Sequence, residues 1–267
     1  MNKVLLLGGT GLVGKAIYKA LQDDYRIVIT AGHQDIDGGW RLAAEESERL
    51  LSILNKEDPD IVISSMRGEF RAQLEFHTVL ANWLAGRDKR LLFISTANVF
   101  DGDLSRPHTE MDSPVPDSAY GIYKRDCEVL LQDRLLDQLI ILRPSAVWSQ
   151  GCPRLSKLRE CSRTGEAIPA NRGTVINITL AEQIGWYVKY VLDENLTGVF
   201  HVGTTDTVDY FEFQKMVCET VGIQLPQFVY ESENEVAFQA VIPMQRSIPE
   251  NLQLTVAQVL HALKGTN

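Results

Sequence analysis

A tyrosine and a lysine lie four residues apart in the segment Tyr120-Gly121-Ile122-Tyr123-Lys124. Residues at this spacing share one face of a helix. Because a tyrosine hydroxyl has an ordinary pKa of about 10, it transfers protons at neutral pH only when a nearby cation favours its phenolate. Lys124 could supply that cation, so Tyr120 and Lys124 are candidates for catalysing proton transfer. Such a pair also arises by chance, and its meaning depends on the residues around it.

A second candidate is Thr96, which follows the apolar run 91–94 and Ser95. The run predicts a buried strand, and ligands bind outside the carboxyl ends of the strands in an open parallel sheet. Thr96 could therefore hydrogen-bond the carbonyl oxygen of a substrate while Tyr120 donates the proton. The alternative is that Ser95 and Thr96 only cap a turn.

Glycines follow the first apolar run of the chain at a spacing that suits a dinucleotide. Residues 4–7 lead into Gly8, Gly11 and Gly14, and an amphipathic segment comes next. Glycines permit a tight turn and a close approach of the backbone to a diphosphate at a helix N-terminus. The alternative is a purely structural turn. The residues expected to contact the cofactor here are Gly8, Thr10, Gly11, Leu12, Val13 and Gly14.

The residues after the second apolar run bear on the choice between NAD and NADP. An acid about 20 residues beyond the glycines would bind the ribose 2′-hydroxyl of NAD, but the run ends Thr30-Ala31-Gly32-His33 without one. This leaves room for a 2′-phosphate facing His33 or Lys15, which favours NADP(H) and leaves NAD(H) open. Asp35, with Ile36 beside it, comes late enough to meet the adenine amino group instead. The alternative for these residues is a solvated loop.

Short apolar runs alternate with longer amphipathic segments over the first two thirds of the chain. This pattern predicts an α/β fold, a Rossmann-type doubly wound parallel sheet with a small C-terminal substrate-binding subdomain. Strands are predicted at 3–7, 26–31, 60–64, 91–95, 138–142 and 198–202. Helices are predicted at 12–21, 42–55, 71–86, 118–133, 154–163, 180–193 and 210–221.

The change of rhythm after Pro144 divides the chain. Residues 1–150 are expected to form an NAD(P)-binding Rossmann domain, to which 175–203 return. Residues 151–174 and 204–267 are expected to form the smaller substrate-binding subdomain. Cofactor chemistry should therefore lie in the first part, and substrate choice in the second.

Composition argues against several kinds of partner. The 267 residues carry a formal net charge of −9, which disfavours nucleic acid. The four cysteines are not spaced for zinc or a disulfide framework, so no metal is expected and a reducing cytoplasm is the simplest location. No stretch of 18 residues is apolar and uncharged enough to suggest a membrane span.

Taken together, the motifs resemble those of the extended short-chain dehydrogenases/reductases, within them the dTDP-4-dehydrorhamnose reductase-like, sugar-nucleotide-binding family. The similarity covers about the first 150 residues well and the remainder faintly. The segments that carry it are 8–14, 59–63, 94–96, 99–102, Tyr120-Gly121 with Lys124, 142–145, 177–179 and 198–203.

The resemblance implies an NAD(P)-dependent oxidoreductase that reduces a carbonyl group on a small-molecule substrate, such as a 4-keto nucleotide sugar. Tyr120 would be the general acid, Lys124 would hold the nicotinamide ribose and tune Tyr120, and Thr96 would orient the carbonyl. Further residues expected at the cofactor are Ser64, Ser65, Met66, Pro144 and Ser145, in addition to Tyr120 and Lys124. Residues expected at the substrate are Asn98, Val99 and Phe100.

Two departures from the family pattern lie on the substrate side. The pattern has Asp-Tyr where this chain has Ala97-Asn98, and a tryptophan where it has Ala146. Three alternatives to the reductase therefore stay open: a nucleotide-sugar epimerase, a dehydratase on the same scaffold, and a non-catalytic NAD(P)-binding regulatory protein.

The predicted helices 71–86 and 118–133 carry apolar faces. Packing on the sheet accounts for most of this surface. By the family resemblance the same helices pair two subunits, so a homodimer is expected. The apolar residues are Leu74, Val79, Leu80, Leu84, Val129, Leu130 and Leu131.

Overall fold

The computed structural model describes residues 1–32, 34–170, 172–230, 236–244 and 248–265. The strands are β1 Lys3–Leu7, β2 Arg26–Ala31, β3 Trp40–Arg41, β4 Ile61–Ser64, β5 Arg90–Ile94, β6 Leu139–Pro144, β7 Ala146–Trp148, β8 Ile168–Ala170, β9 Thr174–Ile176, β10 Ile178–Leu180, β11 Gly198–Val202, β12 Val208–Asp209, β13 Phe228–Tyr230 and β14 Ala237–Gln239. The helices are α1 Leu12–Leu21, α2 Ser47–Glu57, α3 Phe70–Leu84, α4 Ala119–Leu135, α5 Pro153–Thr164, α6 Ala181–Asp193, α7 Tyr210–Val221 and α8 Val256–Lys264.

Seven parallel strands form the central sheet, in the order β11-β6-β5-β4-β1-β2-β3. Strands β4 and β6 are buried along their whole length, which explains why they read as continuous apolar runs and not as alternating ones. The chain leaves β1 toward β2 on one side and returns to β4 on the other. This reversal creates a crevice at the carboxyl ends of the strands.

Helices cover both faces of the sheet. On one face, Leu50 of α2, Phe76 of α3 and Leu131 of α4 pack in one apolar core with the strands. On the other face, Ile17 of α1 and Ile184 of α6 pack in a second core. Both faces of the sheet are apolar and must be covered, so the domain has three layers, with the sheet between two layers of helices.

The rest of the chain builds a smaller unit on short strand pairs: β7 with β10, β8 with β13, and β9 with β12 and β14. Its own apolar core includes Trp148, Leu155 of α5, Phe213 of α7 and Val259 of α8. These elements stand over the carboxyl edge of the central sheet and supply one wall of the crevice described below.

The structure confirms the predicted α/β class and Rossmann-type parallel sheet. The predicted helix 42–55 was wrong at its start, because α2 begins at Ser47 and the edge strand Trp40–Arg41 precedes it. It ends where Asp58 adopts a left-handed conformation, with φ of 40°, before Pro59. Helix α8 was not predicted, although Thr255 and Gln258 form a reciprocal capping box at its start.

Three structural findings bear on partners and location. In the part of the chain that the structure describes, no helix is long and apolar enough to span a membrane. Among the same residues, no cluster of histidine, cysteine and carboxylate side chains could hold a metal ion. All four cysteines are buried and free of disulfide bonds.

Candidate active site

A cavity of about 600 Å³ opens at the carboxyl ends of β4, β5 and β6. Each strand contributes the residues that follow it, and the smaller unit closes the opposite side. The residues around it include Val13, Ser65, Met66, Arg67, Ile94, Thr96, Asn98, Phe100, Asp101, His108, Tyr120, Lys124, Pro144, Ser145, Arg154 and 238–240. The crevice thus brings the three predicted catalytic residues together with several predicted cofactor residues.

The glycine turn after β1 is shaped for close approach of the backbone. Gly8 has a φ of +78°, and a Cβ placed on it would lie 2.9 Å from the carbonyl oxygen of Ser65. A Cβ on Gly14 would lie 2.3 Å from the carbonyl oxygen of Gly8. A side chain on Gly8 would meet the loop after β4, and one on Gly14 would push α1 away from the turn.

The N-terminus of α1 is suited to an anion. Gly11 is its N-cap and provides no side-chain hydrogen bond to the first turn. The backbone amides of that turn therefore have no side-chain partner at the N-cap, and Val13 of the same turn lines the crevice, so a diphosphate there could accept from them. This arrangement fits the diphosphate of a dinucleotide cofactor.

Several predicted cofactor residues stand elsewhere. His33 lies outside the described residues, whereas Asp35 is exposed and Ile36 is half-buried in the loop after β2. Ser64 is buried and its hydroxyl lies 2.9 Å from Nε2 of His77, so it does not reach the cavity. The Ser145 hydroxyl is at the cavity but donates to the carbonyl oxygen of Asn177.

Asp101 fixes the start of α4. Its Oδ1 accepts from the backbone N–H of Asp117 at 2.6 Å and from that of Ser118 at 3.1 Å. The Ser118 hydroxyl donates to Oδ2 of Asp101 and accepts from the N–H of Gly121 at 3.0 Å, which makes Ser118 the N-cap. The helix start, and with it Tyr120, is therefore held to the loop after β5.

Tyr120 stands on the cavity wall with 39% of its surface exposed. Its pKa is raised, because partial burial disfavours the phenolate, while a side-chain hydrogen bond with Thr96 and the charge of Arg67 act in the opposite direction. Its ring lies 5.9 Å from that of Phe70. Tyr120 is therefore protonated at neutral pH and able to donate a proton.

Lys124 lies one helical turn further on and is almost completely buried. Its Nζ donates to the carbonyl oxygen of Ile94 at 2.8 Å and lies 4.6 Å from the centre of the Phe93 ring. Burial lowers its pKa to about 8, although Cys127 and Glu128 oppose the change. The cation whose charge acts on the Tyr120 phenol in the structure is Arg67, which the sequence analysis did not single out.

Thr96 both caps a turn and faces the cavity. Its Oγ1 accepts from the N–H of Asn98 at 3.2 Å and donates to the Asn98 Oδ1 at 3.1 Å. It thereby starts the short 3₁₀ helix Ala97–Phe100. Thr96 therefore caps a turn, as the alternative interpretation predicted, and also lines the cavity. Its hydroxyl can accept one hydrogen bond and donate another.

The predicted substrate residues separate into two groups. Asn98 and Phe100 line the cavity, whereas Val99 is fully buried in a small apolar cluster. Phe100 stacks on the ring of His108, with 4.4 Å between ring centroids. His108 is buried and lines the same cavity, yet nothing in its sequence context signalled it.

A buried ion pair supports the floor of the site. The carboxylate of Glu128 on α4 accepts from Arg143 Nε at 3.0 Å and from Nη2 at 2.6 Å, and Ser95 donates to it as well. Arg143 Nη1 lies 3.5 Å from His201 Nε2. Burial, followed by the charge of Arg143, lowers the pKa of His201 to about 3, which keeps its ring neutral.

The fold is that of a Rossmann-type protein, and its cavity is lined by Thr96, Tyr120 and Lys124, the set that the family resemblance implies. A sequence model of one family, described as the RmlD substrate binding domain, matches residues 1–264. The chain therefore belongs to this family, which confirms the family resemblance found in the sequence.

Named relatives agree with this assignment and with the expectation of a reductase. A probable low-salt glycan biosynthesis reductase, Agl14 of Haloferax volcanii, is 24% identical over 239 residues, 80% of this chain and 79% of that protein. A dTDP-4-keto-6-deoxy-D-glucose reductase of Streptomyces niveus is 23% identical over 83% of this chain and 79% of its own length.

A solved structure shows the same fold. The dTDP-4-dehydrorhamnose reductase of Bacillus anthracis, determined in complex with NADP, superposes with a TM-score of 0.81 at 18% identity. The comparison covers 98% of this chain and 97% of the other. The overall fold is thus common to both proteins.

Proposed function

We propose that the protein is an NAD(P)-dependent reductase that converts the carbonyl group of a nucleotide sugar, most simply a 4-keto sugar, into a hydroxyl. The observation that carries the proposal is the meeting of Thr96, Tyr120 and Lys124 around one cavity beside the glycine turn. Family membership and the reductases among its relatives support the same reaction.

The residues present fit a nicotinamide dinucleotide. The glycine turn leads into the N-terminus of α1, whose first-turn amides could donate hydrogen bonds to the diphosphate, and Val13 of that turn lines the cavity. Residues 64–66 lie at and after the end of β4, residues 144–145 lie at the end of β6, and Ser65, Met66 and Pro144 line the groove toward Tyr120. When bound, the cofactor supplies the hydride.

NADP(H) is favoured over NAD(H). The acid nearest to the end of β2 is Asp35, which is exposed, and Thr30 at the strand end is buried. A 2′-phosphate therefore meets no fixed carboxylate among the described residues of this strand end. The NADP complex of the Bacillus anthracis reductase agrees with this choice.

The chain's own residues handle the proton. Tyr120 donates its phenolic proton to the carbonyl oxygen as that oxygen gains charge. Thr96 donates a second hydrogen bond to the same atom when its hydroxyl turns away from Asn98 Oδ1, its acceptor in the structure. Lys124, one helical turn further on, would hold the ribose and keep its charge near the phenolate that remains, as the family resemblance implies. The charge that acts on the Tyr120 phenol in the structure itself is that of Arg67.

The residues that face Thr96, Tyr120 and Lys124 across the cavity determine which substrate binds. Asn98 and Phe100 approach from the loop after β5, and Arg154 with 238–240 approach from the smaller unit. We assign substrate binding to the parts 151–174 and 204–267. Because Ala97 and Ala146 replace larger family residues, the sugar itself differs from the family's usual one.

We also propose a cytoplasmic homodimer. Four free, buried cysteines suit a reducing compartment. Apolar side chains remain exposed on α4, among them Ile122 at 38% and Val129 at 48%, and Leu74 and Val79 of α3 are only half-buried. A second copy covering this surface would bury them. Light scattering at high concentration tests the dimer, and a monomer would contradict it.

The test of the reductase is a titration of the purified protein with NADPH and with NADH, followed by nicotinamide fluorescence. Addition of a panel of 4-keto nucleotide sugars then measures oxidation. The proposal expects tight binding of NADPH and its net consumption with one sugar. Turnover of a sugar without net consumption would favour an epimerase or dehydratase instead, and binding without any turnover would favour a regulator.

A further inference from the structure

The cavity has a sign of charge opposite to that of the whole chain. The protein carries a formal charge of −9, but Arg67, Lys124 and Arg154 line the cavity together with one carboxylate, Asp101. The oxygens of Asp101 are occupied by hydrogen bonds that hold the start of α4. A positive cleft in an acidic protein attracts an anionic ligand.

Two of the three cations have partners within the protein. Lys124 Nζ donates to the carbonyl oxygen of Ile94 at 2.8 Å, and Arg154 Nη1 donates to that of Val147 at 3.0 Å. Lys124 is also assigned to the reaction itself. Arg67 is the remaining cation of this cavity, and beyond its charge on Tyr120 the reaction gives it no ligand.

Arg67 is exposed on the cavity wall, three residues after β4. None of the ion pairs recorded among residues 1–32, 34–170, 172–230, 236–244 and 248–265 includes it. The nearest acid in the sequence, Glu69, accepts from the N–H groups of Arg71 at 3.1 Å and Ala72 at 2.7 Å as the N-cap of α3. Its carboxylate is committed to the helix.

Arg67 lies on the same side of the cavity as the proposed acid. Arg67, Phe70 and Tyr120 line one cavity, and the ring of Phe70, three residues after Arg67, lies 5.9 Å from the ring of Tyr120. An anion bound by Arg67 would therefore lie on the Tyr120 side of the cavity.

We propose that Arg67 is a specificity-determining residue that binds a carboxylate carried by the substrate next to its carbonyl carbon. This inference rests on the proposed function and names its substrate class, a nucleotide-linked keto sugar acid. A guanidinium group pairs with a carboxylate through two parallel hydrogen bonds. An arginine can also pair with the phosphates of the cofactor or of the nucleotide, and these groups are common to both ligands compared in the test below.

The test compares ligands that differ only in the carboxylate. Calorimetry measures binding of UDP-glucose and UDP-glucuronic acid, and of the corresponding dTDP sugars, to the protein with saturating NADPH. The inference expects the acid to bind about ten-fold or more tightly than the neutral sugar in the nucleotide series that binds. Arg67→Met removes this difference and leaves binding of the neutral sugar unchanged, whereas Arg67→Lys keeps part of it.

Arg71→Met is the matched control, because Arg71 is exposed on α3 outside the cavity and pairs with Glu75. It leaves the preference unchanged. Equal binding of acid and neutral sugar by the wild type, no binding in either series, or a preference that survives Arg67→Met would each overturn the inference. A loss of NADPH affinity in Arg67→Met with the preference intact would also overturn it, because Arg67 would then bind the cofactor.

These results are independent of catalysis. Failure to oxidise NADPH with any keto sugar counts against the proposed function, while the binding ratio reports on Arg67 alone. Thermal unfolding of Arg67→Met shows whether the variant is folded, and the exposed position of Arg67 predicts an unchanged midpoint.

Discussion

Gly121 stands so close to Asn98 that a Cβ added to it would lie 2.3 Å from the Asn98 carbonyl oxygen. The same atom would lie 3.0 Å from Cβ of Pro116. The missing side chain lets the first turn of α4 press against the 3₁₀ helix that Thr96 caps. This contact sets the spacing between the threonine hydroxyl and Tyr120.

Gly121→Ala is therefore expected to move the start of α4 and to separate Tyr120 from Thr96. Because Asn98 offers a rigid backbone atom, we expect a loss of about 1–3 kcal/mol in the free energy of unfolding and a fall in kcat. Urea unfolding and steady-state kinetics measure the two effects. Gly151→Ala is the control, since a Cβ there meets nothing within 4 Å. Equal behaviour of the two variants would contradict this role of Gly121.

The sequence predicts the Tyr120–Lys124 pair from its spacing. It does not show why a glycine, Gly121, lies between them. The contact with Asn98 joins residues 23 positions apart and depends on how α4 docks against the loop after β5. The sequence likewise marked Ser64 beside Ser65, and only the packing of His77 shows that its hydroxyl points away from the cavity.

Tyr120→Phe removes the proposed proton donor and keeps the ring that lies near Phe70. We expect kcat to fall at least about 100-fold, the usual contribution of general acid catalysis. Fluorescence titration should give an NADPH dissociation constant within about two-fold of the wild type, since no charge is lost. Parallel loss of cofactor binding and turnover would mean that Tyr120 is structural.

Lys124→Met separates activity from stability. Burial lowers the pKa of Lys124 from 10.5 to about 8. At neutral pH the charged lysine therefore makes the free energy of folding less favourable. We expect the variant to lose turnover while its free energy of unfolding at pH 7 rises by roughly 1–3 kcal/mol. Chemical denaturation of both proteins at several pH values measures this difference.

The pH dependence has a definite sign. Between pH 8 and 10.5 the unfolded wild type keeps a proton on Lys124 that the folded protein releases. Folding of the wild type therefore becomes more favourable relative to the variant as pH rises through this window, and the advantage of Lys124→Met shrinks. An advantage that grows with pH would show that Lys124 does not titrate in this way.

Glu128→Gln tests the ion pair beneath the site. The change leaves Arg143 buried without a counter-charge, and breaking such a pair costs about 3–5 kcal/mol. We expect a large drop in the urea midpoint, with retained NADPH binding at low temperature because Glu128 does not line the cavity. Glu75→Gln, which breaks the exposed pair with Arg71, serves as the control and should leave the midpoint unchanged. A small effect in both variants would contradict the structural role of Glu128.

The short strands of the C-terminal third could not be predicted from the sequence. Strands of three residues, such as β9 and β14, are too short to give a periodic signal. The segment 237–242 reaches the cavity because Asn177 binds Val241 through its Nδ2 at 2.7 Å and its Oδ1 at 3.0 Å. That hydrogen-bond pair joins residues 64 positions apart, so only the folded chain reveals it.

In the proposed reaction a hydride passes from NADPH to a sugar carbonyl carbon, and Tyr120 donates the proton to the carbonyl oxygen. The most direct measurement follows deuterium from 4-deuterated NADPH into the product of a 4-keto nucleotide sugar, by mass spectrometry. The account predicts one deuterium on the former carbonyl carbon with the wild type, and almost none in the same time with Tyr120→Phe. Bound NADPH that transfers no deuterium to any keto sugar, neutral or acidic, would contradict the reductase assignment.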